Sequence, residues 1–157
     1  MKHLRTWYVL ADGGRARLVR RREANSGFET QRESGFETAR ELESATLHRR
    51  ARDLGTDKPG RTQESAAAAS HSVQPRADLH LAAKLSFVEE VAAMLEDAGA
   101  HREFDRLVLV APAPILSALR NALTAKTRSC VAAELQKDLT KVPDADLTPH
   151  FAGLRPA

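Results

Sequence analysis

The sequence predicts an α/β domain: a mixed sheet of about four to five strands, with an N-terminal antiparallel hairpin and a C-terminal βαβ unit, flanked by helices. Three observations predict this class. Two apolar runs, at residues 107–111 and 130–135, enclose a segment with apolar residues at helical spacing, as in parallel strands joined by a crossover helix. A long amphipathic pattern precedes them at residues 81–98, and two short strand patterns flank a glycine turn near the N-terminus.

The composition is that of an ordinary globular protein, with 42% apolar and 29% charged residues. At 157 residues the chain is expected to form a single domain over residues 1–157. No apolar run approaches the roughly 20 residues that a membrane span needs, and a signal-peptide pattern is lacking, so a cytoplasmic location is expected. The single cysteine, Cys130, is expected to be a small buried residue of the last strand.

The hairpin is predicted from residues 6–11 and 15–21, with a tight turn of Asp12, Gly13 and Gly14 between them. Because side chains alternate along a strand, the second strand should carry three arginines on one face: Arg15, Arg17 and Arg21. Residues 1–22 carry a net charge of +6, so the remainder of the chain nets to −3. The arginine stripe either binds an acidic partner or keeps an edge strand soluble and unpaired.

The middle of the chain predicts a third strand and then a long loop. The strand is expected within residues 36–42, after a Ser-Gly-Phe-Glu-Thr sequence that occurs twice, at residues 26–30 and 34–38. Residues 48–78 lack periodicity and predict a long, flexible loop. This loop holds Asp57, Lys58, Pro59, Gly60 and Arg61. Pro59 and Gly60 shape a turn that presents Lys58 and Arg61, either as a paired-cation site for phosphate or as an ordinary basic surface turn.

The main helix is predicted to begin at the N-cap Asp78 and to end at Gly99. Its apolar stripe is expected to pack on the sheet and consists of Leu81, Leu85, Val88, Ala92 and Leu95. Pro114 suits the first turn of the crossover helix. A last helix is predicted from Pro143 through Leu147, with Pro149 as an interruption.

Candidate site residues follow the last predicted strand. Lys137, Asp138 and Thr140 lie beyond its carboxyl end, where open α/β sheets bind ligands. In the alternative structural interpretation, Asp138 pairs with Lys137 or Arg120, and Thr140 caps the last helix. The sequence lacks a nucleophile elbow, a Walker loop and a dinucleotide fingerprint, and its histidines lack metal-ligand spacing. Neither a cofactor nor a metal is expected, and an enzyme is less favoured than a binding protein.

Four blocks resemble a bacterial family described as "protein required for attachment to host cells". They are residues 7–18, 57–61, 107–120 and 131–140. That family is similar to the middle domain of archaeo-eukaryotic release factors and Pelota, an α/β fold with a Gly-Gly-Gln tip on a long loop before a helix. Here that loop carries Pro59-Gly60-Arg61 instead, so the resemblance does not imply peptidyl-tRNA hydrolysis by that route.

The resemblance implies the fold and binding to ribosomal or other RNA. Our first interpretation is a non-enzymatic binding module of release-factor type, and no membrane partner is expected because a long apolar run is lacking. The expected contacts are Lys58, Arg61 and the pair Arg15 and Arg17. One alternative is a protein-interaction factor in host attachment that binds no nucleic acid. Another is a hydrolase that uses Asp57 and Asp138.

Overall fold

The structure is a computed structural model that describes residues 3–23, 35–45 and 69–154, with the backbone alone for residues 69–77. Its strands are β1 (Thr6–Ala11), β2 (Arg15–Arg21), β3 (Phe36–Glu43), β4 (Arg106–Val110) and β5 (Val131–Leu135). Its helices are α1 (Ala69–Ala100), α2 (Ala113–Ala122), α3 (Ala125–Arg128), a 3₁₀ turn (Asp144–Asp146) and α4 (Thr148–Phe151).

The strands form one mixed sheet in the order β3-β2-β1-β4-β5. β2 is antiparallel to both of its neighbours, whereas β1, β4 and β5 are parallel. The predicted α/β class, the N-terminal hairpin and the parallel pairing of the last two strands are therefore confirmed. Because β1, β4 and β5 run in the same direction, their last residues meet at one border of the sheet, here called the carboxyl edge.

The two outermost strands, β3 and β5, each show one irregularity in their pairing with the neighbouring strand. Between β2 and β3 the register shifts at Leu18 and Val19. Between β4 and β5 it shifts at Leu107 and Val108. Such irregularities bend a strand and increase its local twist.

Helices cover one face of the sheet and an irregular chain covers the other. On the first face, α1 and α2 bury Phe87, Val91, Leu95 and Leu119 against the strands, because the apolar stripes of both helices turn toward the sheet. On the second face lies the C-terminal segment, residues 139–151. Its buried side chains join those of the sheet in a second cluster that includes Tyr8, Leu10, Phe36, Val108, Leu139, Leu147 and Phe151.

Three aromatic rings hold the C-terminal segment to the sheet. The ring of Tyr8 stacks on that of Phe151 with 4.6 Å between centroids, and Phe36 meets both rings edge-on at 5.1 and 5.0 Å. The predicted continuous helix from Pro143 to Leu147 is wrong, because the chain forms a 3₁₀ turn there and then the single turn α4. Pro149 does not interrupt a helix: it lies in the first turn of α4, where its missing N–H breaks no intrahelical bond.

The main helix differs from the prediction at both ends. α1 begins at Ala69, so Asp78 lies inside it and residues 69–78 of the predicted loop are helical. Asp57 to Arg61 lie outside the described residues. At the other end the helix continues through Gly99 to Ala100, and Arg102 takes the left-handed conformation with φ 55°. Its N–H bonds to the Gly99 carbonyl, while the Glu103 N–H bonds to that of Ala98, as in a Schellman motif.

The cysteine also differs from the prediction. Cys130 precedes β5 instead of lying within it, and its side chain is partly exposed. The thiol lies 3.7 Å from the Lys126 carbonyl oxygen. Cys130 packs at the border of the first apolar cluster, so the expectation of a fully buried residue is wrong.

Candidate functional site at the carboxyl edge

A threonine joins two carboxylates at the carboxyl edge. Asp12 follows the last residue of β1, and Asp138 and Thr140 follow β5. The hydroxyl of Thr140 lies 2.6 Å from Oδ1 of Asp138 and 3.1 Å from Oδ2 of Asp12. The backbone N–H of Thr140 also donates to Oδ1 of Asp138, at 3.1 Å. Thr140 is 1% exposed whereas Asp138 is exposed, so these hydrogen bonds lie between the interior and the surface.

Asp12 also shapes the turn of the hairpin. Its Oδ1 accepts the backbone N–H groups of Gly14 and Arg15, at 2.8 and 2.7 Å. Because a hydroxyl carries one hydrogen, Thr140 donates to one carboxylate at a time. The two carboxylates therefore act mainly as hydrogen-bond acceptors that fasten the start of the C-terminal segment to the β1–β2 turn.

The alternative structural roles predicted for Asp138 and Thr140 name the wrong partners. Asp138 accepts from Thr140 and not from Lys137 or Arg120. Arg120 instead donates to Glu134, with 2.7 Å between Nε and Oε1, and this hydrogen bond raises the pKa of Arg120. Thr140 does not cap the last helix, because its hydroxyl is used between the two carboxylates.

Three lysines lie at or beside the carboxyl edge: Lys84 of α1, whose stem meets the hairpin turn, and Lys137 and Lys141 of the chain after β5. All three are exposed. The stem of Lys84 lies across the hairpin turn, since a Cβ added to Gly13 would be 2.7 Å from Cγ of Lys84. A side chain at Gly13 would displace that stem, so the glycine lets α1 approach the turn closely. Within the described ranges none of the three ammonium groups forms a hydrogen bond or an ion pair.

The arginines of the hairpin, in contrast, have partners within the fold. Arg15 pairs with Glu43 at 3.1 Å, and Arg20 pairs with Glu37 at 2.8 Å. Both pairs join residues directly opposite each other on β2 and β3, the arrangement in which opposite charges stabilise a sheet. The guanidinium of Arg21 lies over the ring of Phe36, 5.0 Å from its centroid.

Arg17 does not belong to an exposed stripe, which corrects the prediction for this residue. It is 8% exposed and lies under the C-terminal segment. Its Nη2 donates to the Val142 carbonyl at 2.7 Å and is 3.7 Å from Asp144, while its Nε is buried without a partner among the described atoms. Asp144 in turn accepts the N–H and the hydroxyl of Thr38, at 2.8 and 2.7 Å.

The structure brings together some of the predicted site residues and adds others. Lys137, Asp138 and Thr140 all lie beyond the end of β5 at the carboxyl edge, and Asp138 and Thr140 are joined there by hydrogen bonds. Sequence reasoning missed Asp12 and Lys84 as members of this site. Asp12 also follows a strand that proves parallel to β4, so the same rule applies to it. Lys84 lies one turn before Val88, on the side of α1 that is buried further along the helix, although Lys84 itself is exposed.

Two features bear on the chemistry of this edge. In the described part of the chain, no group of three or more His, Cys, Asp or Glu side chains is placed to hold a metal ion. The first turn of α2 also begins here, with Pro112 as an N-cap that offers no side-chain hydrogen bond. A helix start carries partial positive charge, which adds to that of the lysines.

The comparison with protein families gives a match. The sequence profile of a family described as "Protein required for attachment to host cells" matches residues 7–151, most of the chain. A search of curated proteins found no match. None of the helices in the described ranges is long and apolar enough to cross a membrane.

Proposed function

We propose that this chain, which belongs to the family of proteins required for attachment to host cells, is a non-enzymatic binding module that contacts RNA at the carboxyl edge. The observation that carries the proposal is the set of Lys84, Lys137 and Lys141, exposed ammonium groups that have no partner within the described residues. Unpaired cations on one border of a sheet are the electrostatic pattern that phosphate groups recognise.

The contrast between lysines and arginines supports this location. Arg15 and Arg20 already pair with glutamates of β3, so their contribution to a phosphate contact would require breaking those pairs. Arg17 is enclosed by the C-terminal segment. Lys137 is an expected site residue and stays one in the proposal. Lys84 and Lys141 take the role of RNA contacts that the sequence suggests for Arg15 and Arg17. Lys58 and Arg61, which lie outside the described residues, stay predicted contributors.

The chemistry of the edge favours binding over catalysis. Asp138 is exposed, and its Oδ1 accepts two hydrogen bonds from Thr140. Asp12 uses Oδ1 for two backbone N–H groups. Among the residues that the structure describes, no histidine or cysteine forms a hydrogen bond with either carboxylate. These groups therefore support the loop that presents the lysines, and the hydrolase alternative with Asp57 and Asp138 is less well supported.

RNA binding by the purified protein tests the proposal. The probe is a fluorescein-labelled RNA hairpin, titrated by fluorescence anisotropy between about 50 and 200 mM salt, because released counterions make phosphate binding fall with salt. Replacing the three lysines together (Lys84→Met, Lys137→Met and Lys141→Met) keeps their apolar stems and removes their charges. We expect weaker binding and a log–log salt slope that is smaller by about 2 to 3.

Lys126→Met is the matched control. Lys126 is also exposed, but it belongs to α3. This helix follows the C-terminal end of α2, at the other end of the parallel strands, so RNA affinity should stay unchanged. Absence of RNA binding by the wild type at low salt would contradict the proposal. So would a loss of log affinity in Lys126→Met that is about one third of the loss in the triple variant, because net charge alone, with one charge removed against three, would then explain the binding.

A further inference from the structure

The carboxyl edge presents an exposed carboxylate as well as exposed lysines. Asp138 is exposed, and its two carboxylate oxygens have different surroundings. Oδ1 accepts the backbone N–H and the hydroxyl of Thr140, at 3.1 and 2.6 Å. Oδ2 forms no hydrogen bond with any residue that the structure describes. One oxygen is therefore held by Thr140, and the other is available to a ligand.

The hydrogen bonds from Thr140 fix the orientation of this carboxylate. Thr140 is 1% exposed, and its hydroxyl also lies 3.1 Å from Oδ2 of Asp12. Asp12 is itself fastened by two backbone N–H groups of the hairpin turn. A polar group whose position is set by buried neighbours loses little conformational freedom when it binds a ligand. Asp138 is thus a preorganised hydrogen-bond acceptor.

The charges around this acceptor are mostly positive. Lys137 and Lys141 lie on the same stretch of chain after β5, and Lys84 lies on α1. Within the described ranges none of these lysines forms an ion pair with Asp138 or Asp12. Asp12 uses both of its oxygens for contacts within the fold. A ligand at this edge therefore meets three cations and a single carboxylate oxygen that is not already used.

The part of α1 around Lys84 is exposed as well. Leu81 and Leu85, on either side of this lysine, are 56% and 43% exposed. The residues of the predicted apolar stripe further along the helix are 0–3% exposed: Val88, Ala92 and Leu95. The predicted packing of the stripe on the sheet is therefore confirmed for its second part and wrong for its first. A large ligand can accordingly reach the ammonium group of Lys84.

A free carboxylate oxygen among phosphate-binding lysines restricts the chemistry of the ligand. A carboxylate repels a neighbouring phosphate, unless the ligand also donates a hydrogen bond to it. The sugar–phosphate backbone of DNA has no such donor, whereas every ribose of RNA carries a 2′-hydroxyl that can donate. In an RNA stem the bases are paired and the major groove is too narrow for side chains, so the 2′-hydroxyl is the donor that every nucleotide still presents.

We propose that Asp138 is the residue by which the carboxyl edge distinguishes RNA from DNA, through a hydrogen bond that a ribose 2′-hydroxyl donates to its Oδ2. The lysines bind the neighbouring phosphates, which are the same in both nucleic acids. This inference rests on the proposed function, because it requires RNA at the carboxyl edge, and it adds the sugar to the chemistry that is recognised there.

Two fluorescein-labelled RNA hairpins of one sequence test this role, one unmodified and the other 2′-O-methylated at every nucleotide. Methylation keeps the A-form helix and the phosphates but removes the hydrogen that the hydroxyl donates. Anisotropy titrations with the full chain, at one low salt concentration, should show that the unmodified hairpin binds about three- to tenfold more tightly, as expected for one hydrogen bond to a charged group at a partly exposed site.

Asp138→Asn should abolish this preference. Because Thr140 donates to Oδ1, the amide oxygen of the asparagine takes that place and its NH₂ group takes the place of Oδ2. The available acceptor then becomes a donor of the same shape, and the sugar oxygen of either hairpin can accept from it. The ratio of the two affinities is the measurement, because the loss of one negative charge strengthens the binding of both hairpins alike.

Asp97→Asn is the matched control. Its side chain is 71% exposed and lies near the C-terminal end of α1, at the other end of the parallel strands, so the preference should equal that of the wild type. Far-UV circular dichroism checks that each variant is folded. Equal binding of the two hairpins by the wild type, or an unchanged preference in Asp138→Asn, would overturn this inference and leave the lysine contacts standing. Failure of both hairpins to bind would overturn it together with the proposed function.

Discussion

At the scale of single residues, Asp12 has two separable roles. It accepts two N–H groups of the hairpin turn through Oδ1, and it meets Thr140 through Oδ2. Asp12→Ala removes both and should lower the free energy of unfolding by about 1–3 kcal/mol. Asp12→Asn should cost less than about 1 kcal/mol, because the amide oxygen still accepts and the NH₂ group can donate to the threonine hydroxyl.

Urea denaturation of the two Asp12 variants measures this difference. An asparagine variant as unstable as the alanine variant would show that the negative charge, and not hydrogen bonding, is what the turn requires. That result would also reopen a chemical role for the carboxylates of the carboxyl edge.

The lowered pKa of Glu96 predicts that the stability of the protein depends on pH. Burial by itself raises its pKa, but hydrogen bonds from Thr127 and Thr124 and the charge of Lys126 outweigh that effect, so its pKa is lowered. A carboxyl group whose pKa is lower in the folded state stabilises the fold above its unfolded pKa, which is about 4.3. That contribution is lost as the pH falls through the lower, folded value.

The measurement compares wild type with Glu96→Gln by urea denaturation at several pH values. The stability difference should be constant above about pH 5.5 and should shrink toward acid, below about pH 4. If the difference in free energy of unfolding stays the same down to about pH 3, the negative charge of Glu96 does not contribute to stability and only its hydrogen bonds do.

At the scale of elements, the end of α1 offers a stabilising substitution. Arg102 occupies the left-handed position of the Schellman motif, which costs an ordinary residue about 1–2 kcal/mol. Arg102→Gly should therefore raise the free energy of unfolding by about 0.5–1 kcal/mol, after allowance for the greater freedom of glycine in the unfolded chain. Arg102→Ala keeps the strain and should change stability little, and thermal unfolding of the three proteins distinguishes these outcomes.

Strands and helices differ in how well the sequence predicts them. The bounds of β1 and β2 follow directly from an apolar pattern interrupted by Asp12 and two glycines. The start of α1 could not be predicted, because residues 65–72 are rich in alanine and serine and have no apolar face. Alanine favours a helix by its propensity, yet Pro75 normally marks a break, and here it lies within α1.

The sequence predicts only those residues of the candidate site whose place follows from the neighbouring strand. Lys137, Asp138 and Thr140 follow from their position after the last parallel strand. The burial of Arg17 could not be predicted, because the carbonyl that it meets belongs to Val142, 125 residues further along the chain. Alternation along β2 places Arg17 on a face, but it does not say that the C-terminal segment covers that face.

At the scale of the whole molecule, Asp144 fastens the C-terminal segment to the sheet. It accepts two hydrogen bonds from Thr38 and lies near Arg17. Asp144→Ala should lower the free energy of unfolding by about 1–3 kcal/mol and should speed hydrogen exchange in residues 139–151. Asp146→Ala, an exposed position in the same 3₁₀ turn, should stay within about 0.5 kcal/mol of wild type.

Hydrogen exchange resolved by peptide separates local from global loosening. If Asp144→Ala speeds exchange equally in β1 and in the C-terminal segment, the two faces of the sheet open as one unit. Faster exchange confined to the C-terminal segment would make that segment a separately stable part of the fold.

The register shifts at the two outermost strands affect how molecules of this protein associate at high concentration. A flat border strand offers its free amide and carbonyl groups as a template for any other extended chain. Both outermost strands instead carry one extra residue in their pairing, Ala39 in β3 and Ala132 in β5, and such an irregularity bends a strand. Neighbouring molecules that meet along these outer strands would find their backbone hydrogen-bond ladders out of step, so we expect the shifts to disfavour fibre growth.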